Sequence, residues 1–352
     1  MKNNVPVLAP VLEHRPANRS ANRSLDRLPR LGFVGTGWIG RMRLQALLEA
    51  EAAEFFAVYD TSPEAAAAAA TLAKDVIVAG SFAELLKADL DGLIIATPSA
   101  LHAEQCLLAL ARGKAVFCQK PLARTRAETL RVVEAARTAD LLLGVDFSYR
   151  HLAGLARLQA EMKAHELGEI FAADLIFHNA YGPDKAWFYD VSSAGGGCVM
   201  DLGIHLVDLA LWLLGPGEIE QVTSRLFAGG MLLRPPYITV EDYATAEFLL
   251  NGCHLRLCCS WNLHAGRDAV IEAHFHGTRG GAAITNVGGS FYDFEISRFT
   301  GTSRTRLAGY PDAWGGRALI GWAARLAADN SFDPEIVQAV QVATVIDRMY
   351  RR

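Results

Sequence analysis

The stretch LGFVGTGWIG, from Leu31 to Gly40, decides how this chain folds. Leu31 to Val34 is a short apolar run that reads as a buried strand, and Ile39 to Ala50 reads as a helix. Gly35, Gly37 and Gly40 stand between the two, so the Gly-x-Gly-x-x-Gly spacing has the strand-turn-helix context that gives it meaning. The first glycine permits a tight turn, the second lets the backbone approach a pyrophosphate, and the third lets the helix pack on the strand. The helix N-terminus adds free N–H groups and the positive end of a dipole, which suits phosphate.

Twenty residues beyond Gly40, Asp60 ends a second strand, Phe55 to Tyr59. A carboxylate there accepts hydrogen bonds from both adenosine ribose hydroxyls and repels a 2′-phosphate. The expected cofactor is therefore NAD, with NADP the less favoured alternative.

Working outward, strands and helices keep alternating. Pro63 to Ala73 reads as a helix with Ser62 as N-cap, and Ser81/Glu84 and Thr125/Glu128 have capping-box spacing. Strands are expected at Gly92 to Ala96, Ala115 to Cys118 and Leu141 to Val145, with helices at Ala100 to Ala111 and up to Ala139. Such alternation implies an α/β Rossmann domain, a doubly wound parallel sheet over residues 30–149. Residues 150–352 read differently. An apolar helix from Val199 to Leu214 is followed by strands at 222–227, 238–249, 253–261, 269–276, 282–285 and 291–298. Asn251-Gly252 is a two-residue hairpin signal. This predicts an α+β domain with a large, open, mainly antiparallel sheet, closed by helices near 318–328 and 334–350 that pack back on the first domain.

Composition narrows the function. The chain has 352 residues, 51% hydrophobic and 20% charged, with a net charge of -4, so it can bury two cores and carries no basic block for nucleic acid. No run reaches the ~20 apolar residues of a spanning helix. Residues 1–29 hold Lys2 and several arginines without an apolar core, so they read as a flexible extension and not a secretory signal. Cys106, Cys118, Cys198, Cys253, Cys258 and Cys259 show no metal-type spacing and read as buried thiols of a reducing, cytoplasmic compartment. No metal is expected.

Candidate reacting groups sit where strands end. Thr97, Pro98 and His102 follow one strand and Lys120 another, at the carboxyl edge where such sheets bind ligands. His102 has the competing reading of a solvent-facing residue. Lys120 can polarise a substrate oxygen or help move a proton. In GGGCVMDLGIHLVDLALWLLG, Asp201, His205 and Asp208 are spaced i, i+4 and i+7, one arc of an apolar helix. His205 suits reversible proton transfer, with Asp201 one turn earlier to orient it, while Asp208 is better read as part of a satisfied polar seam.

These residues resemble the Gfo/Idh/MocA family of oxidoreductases through GTGWIG, ATPSALH, QKP, VDFSYRH, and GGG with DLGIHLVD. The resemblance implies Lys120, Asp201 and His205 as a catalytic trio, with His205 the base toward a substrate hydroxyl. Gly35, Thr36, Gly37, Trp38, Ile39, Gly40, Asp60, Thr97, Pro98, His102 and Gln119 would line the cofactor. Tyr149, Arg150, Trp187 and Tyr189 would join the trio at the substrate, core packing being the alternative for the last two. It also implies a homodimer or homotetramer built on the open sheet. One departure stands out: where the family has Glu-Lys-Pro, this chain has Gln119, whose amide can still bond the cofactor. The implied activity is an NAD(P)-dependent dehydrogenase or ketoreductase acting on CH–OH groups of a sugar or cyclitol. Two alternatives share the fold, an NAD-dependent glycosidase and a catalytically silent cofactor sensor.

Overall fold

The computed structural model describes residues 27–352, so the extension expected at 1–29 lies outside them up to residue 26. The first half forms a parallel sheet of order β3-β2-β1-β4-β5-β6. Its strands are β1 (Arg30–Val34), β2 (Glu54–Tyr59), β3 (Ile77–Val78), β4 (Gly92–Ile95), β5 (Ala115–Cys118) and β6 (Leu143–Val145). Between them run helices α1 (Trp38–Glu49), α2 (Pro63–Ala70), α3 (Phe82–Leu85), α4 (Ser99–Ala111) and α5 (Arg126–Ala139). Strand residues alternate between two cores: Val34, Leu93 and Ile95 face α3 to α5, while Leu31, Phe33 and Ile94 face α1 and α2. The strand order reverses between β1 and β4, which opens a crevice at their carboxyl ends.

The caps form as spaced. The side chains of Ser62, Ser81 and Thr125 accept from Ala65 N, Glu84 N and Glu128 N. Glu84 and Glu128 reach back one residue further than a standard box, to the N–H groups of Gly80 and Arg124.

The second half adds α6 (Leu155–Lys163), α7 (Val191–Ala194) and α8 (Ile204–Leu214) against a nine-stranded sheet. Its strands are β7 (Ile170–Asn179), β8 (Ile219–Ala228), β9 (Met231–Leu232), β10 (Tyr243–Leu250), β11 (Cys253–Ser260), β12 (Ala269–Gly277), β13 (Gly281–Asn286), β14 (Phe294–Thr300) and β15 (Ser303–Ala308). They lie in the order β15-β14-β13-β12-β7-β11-β10-β8-β9. The sheet is antiparallel except where β7 pairs parallel with β11. Asn251 and Gly252 take φ of 51° and 79°, the left-handed pair that a two-residue hairpin requires.

Several expectations are corrected. Sequence reading passed over β7, the strand that joins the two halves of the sheet, although Ala173, Leu175 and Phe177 alternate into the core. The strand expected from Ile238 begins only at Tyr243, because Glu241 is drawn out of the sheet. Its buried carboxylate accepts from Gly197 N, Val199 N and the Tyr350 hydroxyl, and so anchors the entrance to α8. The helix expected from Val199 starts with a π-helical turn, Val199–Gly203, before α8 proper. The Val191–Leu214 run is long and apolar enough by composition to cross a membrane, yet 78% of its most apolar window is buried inside the fold. Five cysteines are buried as expected; Cys258 is half-buried and bonds the Tyr243 hydroxyl.

The chain then returns. Helix α9 (Arg317–Ala328) puts Leu319, Trp322, Ala323 and Leu326 into the core on the α1 side of the first sheet. Helix α10 (Gln338–Met349) packs against α5 and α8.

Candidate active site

A cleft of about 1070 Å³ runs from the glycine loop to the head of α8. At its first end Gly35 has φ of 86°, and a Cβ there would lie 2.4 Å from the Ala96 carbonyl oxygen. A Cβ on Gly40 would lie 2.3 Å from Gly35 O, whereas one on Gly37 would meet nothing within 4 Å. Gly35 and Gly40 thus close the turn on the sheet, and Gly37 leaves it open to the cleft. Helix α1 begins without a side-chain cap and without an acidic residue in its first turn. Its first N–H groups are left for an anion, which fits a dinucleotide pyrophosphate.

Trp38 and Ile39 line the same end; Thr36 and Gly40 lie behind it. Thr36 is buried and donates from its N–H and hydroxyl to Asp60 Oδ2, at 2.6 and 3.0 Å. Asp60 Oδ1 accepts from Ser62 N at 2.9 Å. The carboxylate is therefore fixed in place beside the cleft with acceptor capacity remaining on both oxygens.

Thr97, Pro98 and His102 follow β4 and also line the cleft. His102 does not face solvent. It is buried, with its two ring nitrogens each 2.7 Å from a backbone carbonyl, of Pro121 and of Thr97. Burial pushes its pKa down, against those two bonds. The ring ties the loop after β4 to the loop after β5, which carries Lys120.

Lys120 Nζ donates to Asp201 Oδ1 and to Asp201 O, both at 2.8 Å. Asp201 Oδ2 accepts from Trp261 Nε1 at 3.0 Å. Asp201 therefore does not orient His205 as the i, i+4 spacing suggested. The π-turn inserts extra backbone between them and rotates Asp201 toward Lys120. His205 sits at the cleft floor against Tyr149, with ring centroids 4.9 Å apart. Its Nδ1 is buried without a hydrogen-bond partner among the described residues, and the ring lines the cleft. Burial, then the charges of Lys120 and Arg43, hold its pKa well below the usual histidine value. The imidazole is neutral at neutral pH and free to accept a proton.

Gln119 lines the cleft but spends its amide elsewhere: Nε2 donates to Asp146 Oδ2 at 2.5 Å. Arg43 donates from Nε to the same oxygen and from Nη2 to Ser148 Oγ, which in turn donates to Asp146 Oδ1. A glutamate at 119 would set a second carboxylate against Asp146, so the amide fits this buried cluster. Arg43, Asp146 and Ser148 went unread in the sequence. Two signals were available: Arg43 lies in the buried stripe Gly40, Arg43, Leu44, Leu47, and Asp146 follows β6 at the same sheet edge as Lys120.

Two other expected positions lie elsewhere. Arg150 turns its guanidinium to Asp208, with Nε to Oδ2 at 2.8 Å and Nη2 on Oδ1, and does not line the cleft. Asp208 is buried there, its pKa raised by burial and lowered by Arg150, the polar seam expected of it. Trp187 lines the cleft, but Tyr189 does not; its hydroxyl bonds Pro183 O.

Fold and cleft together define a dinucleotide-binding oxidoreductase, and the comparisons agree. Residues 29–147 match the model of the oxidoreductase family with an NAD-binding Rossmann fold, and residues 155–283 match the GFO/IDH/MocA C-terminal domain. The chain belongs to the Gfo/Idh/MocA oxidoreductase family. It is 34% identical to an Amycolatopsis mediterranei (strain S699) protein provisionally named a UDP-kanosamine synthase oxidoreductase subunit, over 72% of this chain and 74% of that one. It is 31% identical to inositol 2-dehydrogenase of Acidothermus cellulolyticus, over 66% and 70%. The fold is shared with levoglucosan dehydrogenase in complex with NADH and levoglucosan, at a TM-score of 0.79 and 21% identity, covering 92% of this chain and 96% of that one.

Proposed function

We propose that this chain is an NAD-dependent dehydrogenase or ketoreductase acting on a CH–OH group of a sugar or cyclitol. The observation that carries the reading is the meeting of Lys120, Asp201 and His205 in the cleft that begins at the glycine loop. Sugar and cyclitol dehydrogenases among the relatives support it.

A bound nicotinamide supplies the hydride acceptor or donor. The chain's own groups handle the oxygen. With two of its N–H groups on Asp201, Lys120 keeps a third to donate to the substrate oxygen, and it stabilises negative charge there as the O–H bond breaks. His205, neutral and set in the cleft lining, accepts the hydroxyl proton, and returns it when a ketone is reduced. Asp201, bonded also to Trp261, holds the ammonium in place. Asp60 is the residue that favours NAD over its 2′-phosphorylated relative. The open face of the nine-stranded sheet is the surface through which two or four copies would assemble.

The test is a screen of the purified protein with NAD and with NADP over sugars, inositols and their ketones, read by absorbance of the reduced nicotinamide. Turnover with at least one polyol and a preference for NAD are expected. Tight NADH binding with no turnover of any polyol would refute the reading.

A further inference from the structure

The glycine run ahead of Asp201, Gly195 to Gly197, is crowded by two side chains from outside the cleft. A Cβ on Gly196 would lie 2.1 Å from the Tyr350 hydroxyl oxygen, and one on Gly197 would lie 1.9 Å from Glu241 O. Bare backbone is therefore what lets Glu241 and Tyr350 close on the start of the π-turn. Glu241 is 1% exposed, and its carboxylate has only neutral hydrogen-bond donors among the described residues. These are Gly197 N at 3.0 Å, Val199 N at 2.9 Å and the Tyr350 hydroxyl at 2.7 Å. Burying a carboxylate beside no cation is costly, and burial raises its pKa against those bonds. What it offers in return is a set of acceptors with no N–H of its own, as converging donors require.

Two threads run from Glu241 and Asp242 to Asp201. Glu241 holds Gly197 N, and Gly197 O accepts from Asp201 N at 3.0 Å. Asp242 O accepts from Trp261 N at 2.7 Å, and the Trp261 indole donates to Asp201 Oδ2 at 3.0 Å. One thread fixes the backbone of Asp201 and the other its carboxylate. Asp201 gives its carbonyl and its Oδ1 to Lys120, so a shift of Asp201 carries the ammonium with it.

From these contacts we infer that Glu241 is a positioning residue of the reaction: it sets Asp201, and through Asp201 the Lys120 ammonium, with Tyr350 holding it in place. The inference rests on the dehydrogenase reading and adds to it a residue behind the cleft wall. A purely structural anchor would stabilise the fold and leave the geometry of Asp201 unchanged when loosened.

The experiment follows the Trp261 indole N–H by heteronuclear NMR, its signal assigned by its loss in Trp261→Phe, together with turnover and Tm. Asp201→Asn, which replaces the charged acceptor by a neutral one, gives the reference displacement. Glu241→Gln should move the signal in the same direction. It should also lower kcat for myo-inositol or glucose with NAD by about 10-fold or more, with NADH affinity unchanged. In the Asp201→Asn background the same substitution should cost little further kcat, because its route to Lys120 runs through that carboxylate. Tyr350→Phe keeps the carboxylate and its backbone bonds; it should shift the signal less, and it reads the same thread if Glu241→Gln does not fold. Arg150→Met, which strands Asp208 further along α8, should lower Tm and leave the signal in place. A fall in Tm with the Trp261 signal unmoved, or losses of kcat that multiply in the double variant, overturns the inference. Wild-type protein that turns over no polyol with NAD or NADP overturns the dehydrogenase reading instead, and the Trp261 signal then decides whether Glu241 sets Asp201.

Discussion

The segment from Val199 to Leu214 carries two aspartates seven residues apart, each holding a cation from the loops after β5 and β6. Asp208 engages Arg150 through two parallel bonds and is itself only 1% exposed. Asp201 engages Lys120 through one carboxylate oxygen and its carbonyl, and gives the other oxygen to Trp261. Similar residues thus end in different roles. The guanidinium is consumed by its partner, whereas the ammonium keeps a donor facing an open cleft. Both cations follow strands at the sheet's carboxyl edge, so what separates the reacting pair from the structural one is whether the side chains line the cleft, as Lys120 and Asp201 do and Arg150 and Asp208 do not.

The comparison can be broken most sharply at Arg150. Arg150→Met should leave Asp208 buried without a partner and cost about 3–5 kcal/mol of stability, read as a large fall in Tm. The surviving folded protein should keep its turnover number. A large loss of kcat with an unchanged Tm would place Arg150 at the chemistry after all.

Lys120→Met should do the reverse. Turnover should fall by about 10³-fold, with a Tm change smaller than that of Arg150→Met, because Asp201 keeps its bond from Trp261. Asp60→Ala should lower the preference for NAD over NADP by about 10-fold or more. It also releases Thr36 and Ser62, but a loosened loop would weaken both cofactors together, so the ratio isolates the ribose contact.

The smallest effect concerns pH. His205 acts as a base only when neutral, and its pKa lies below the usual value of about 6.5. Oxidation should therefore hold level as pH falls to about 6.5 and decline only below it. Stability follows the same sign. The unfolded chain binds this proton more readily, so the contribution from His205 is complete above about 6.5 and lost as pH falls further. An acid limb centred at or above 6.5 that persists in His205→Gln would assign the titration to another group.

How much was legible depended on whether the signal was local. The glycine loop, Asp60, Lys120 and the hairpin at Asn251-Gly252 each follow from a short motif or from a strand's end. The partner of Lys120 did not, because helical spacing assumes 3.6 residues per turn throughout and a π-turn breaks that count between Asp201 and His205. Strand β7 was missed because Asp174 and His178 break up the apolar run in the sequence, although both lie on the face opposite Ala173, Leu175 and Phe177; in the fold Asp174 pairs with Arg256 on the outer side of the sheet. Arg150 was misplaced because sequence order puts it beside Tyr149, while only the fold reveals Asp208 waiting for it. The cluster of Arg43, Asp146 and Ser148 joins positions more than a hundred residues apart, and no periodicity reports such a meeting.

Helix α9 sets the order in which the molecule can be made. The first sheet is bare at Gly92 and Gly144 because the Trp322 indole lies over both, 2.7 and 2.6 Å from where a Cβ would stand. Those strands leave the ribosome before the indole that seals them, which emerges only after every strand of the second sheet has been made. A nascent chain halted before Arg317 would uncover Phe117, on which the Trp322 ring packs with centroids 5.7 Å apart. The nucleotide-binding half is therefore first to be synthesised and among the last to be finished.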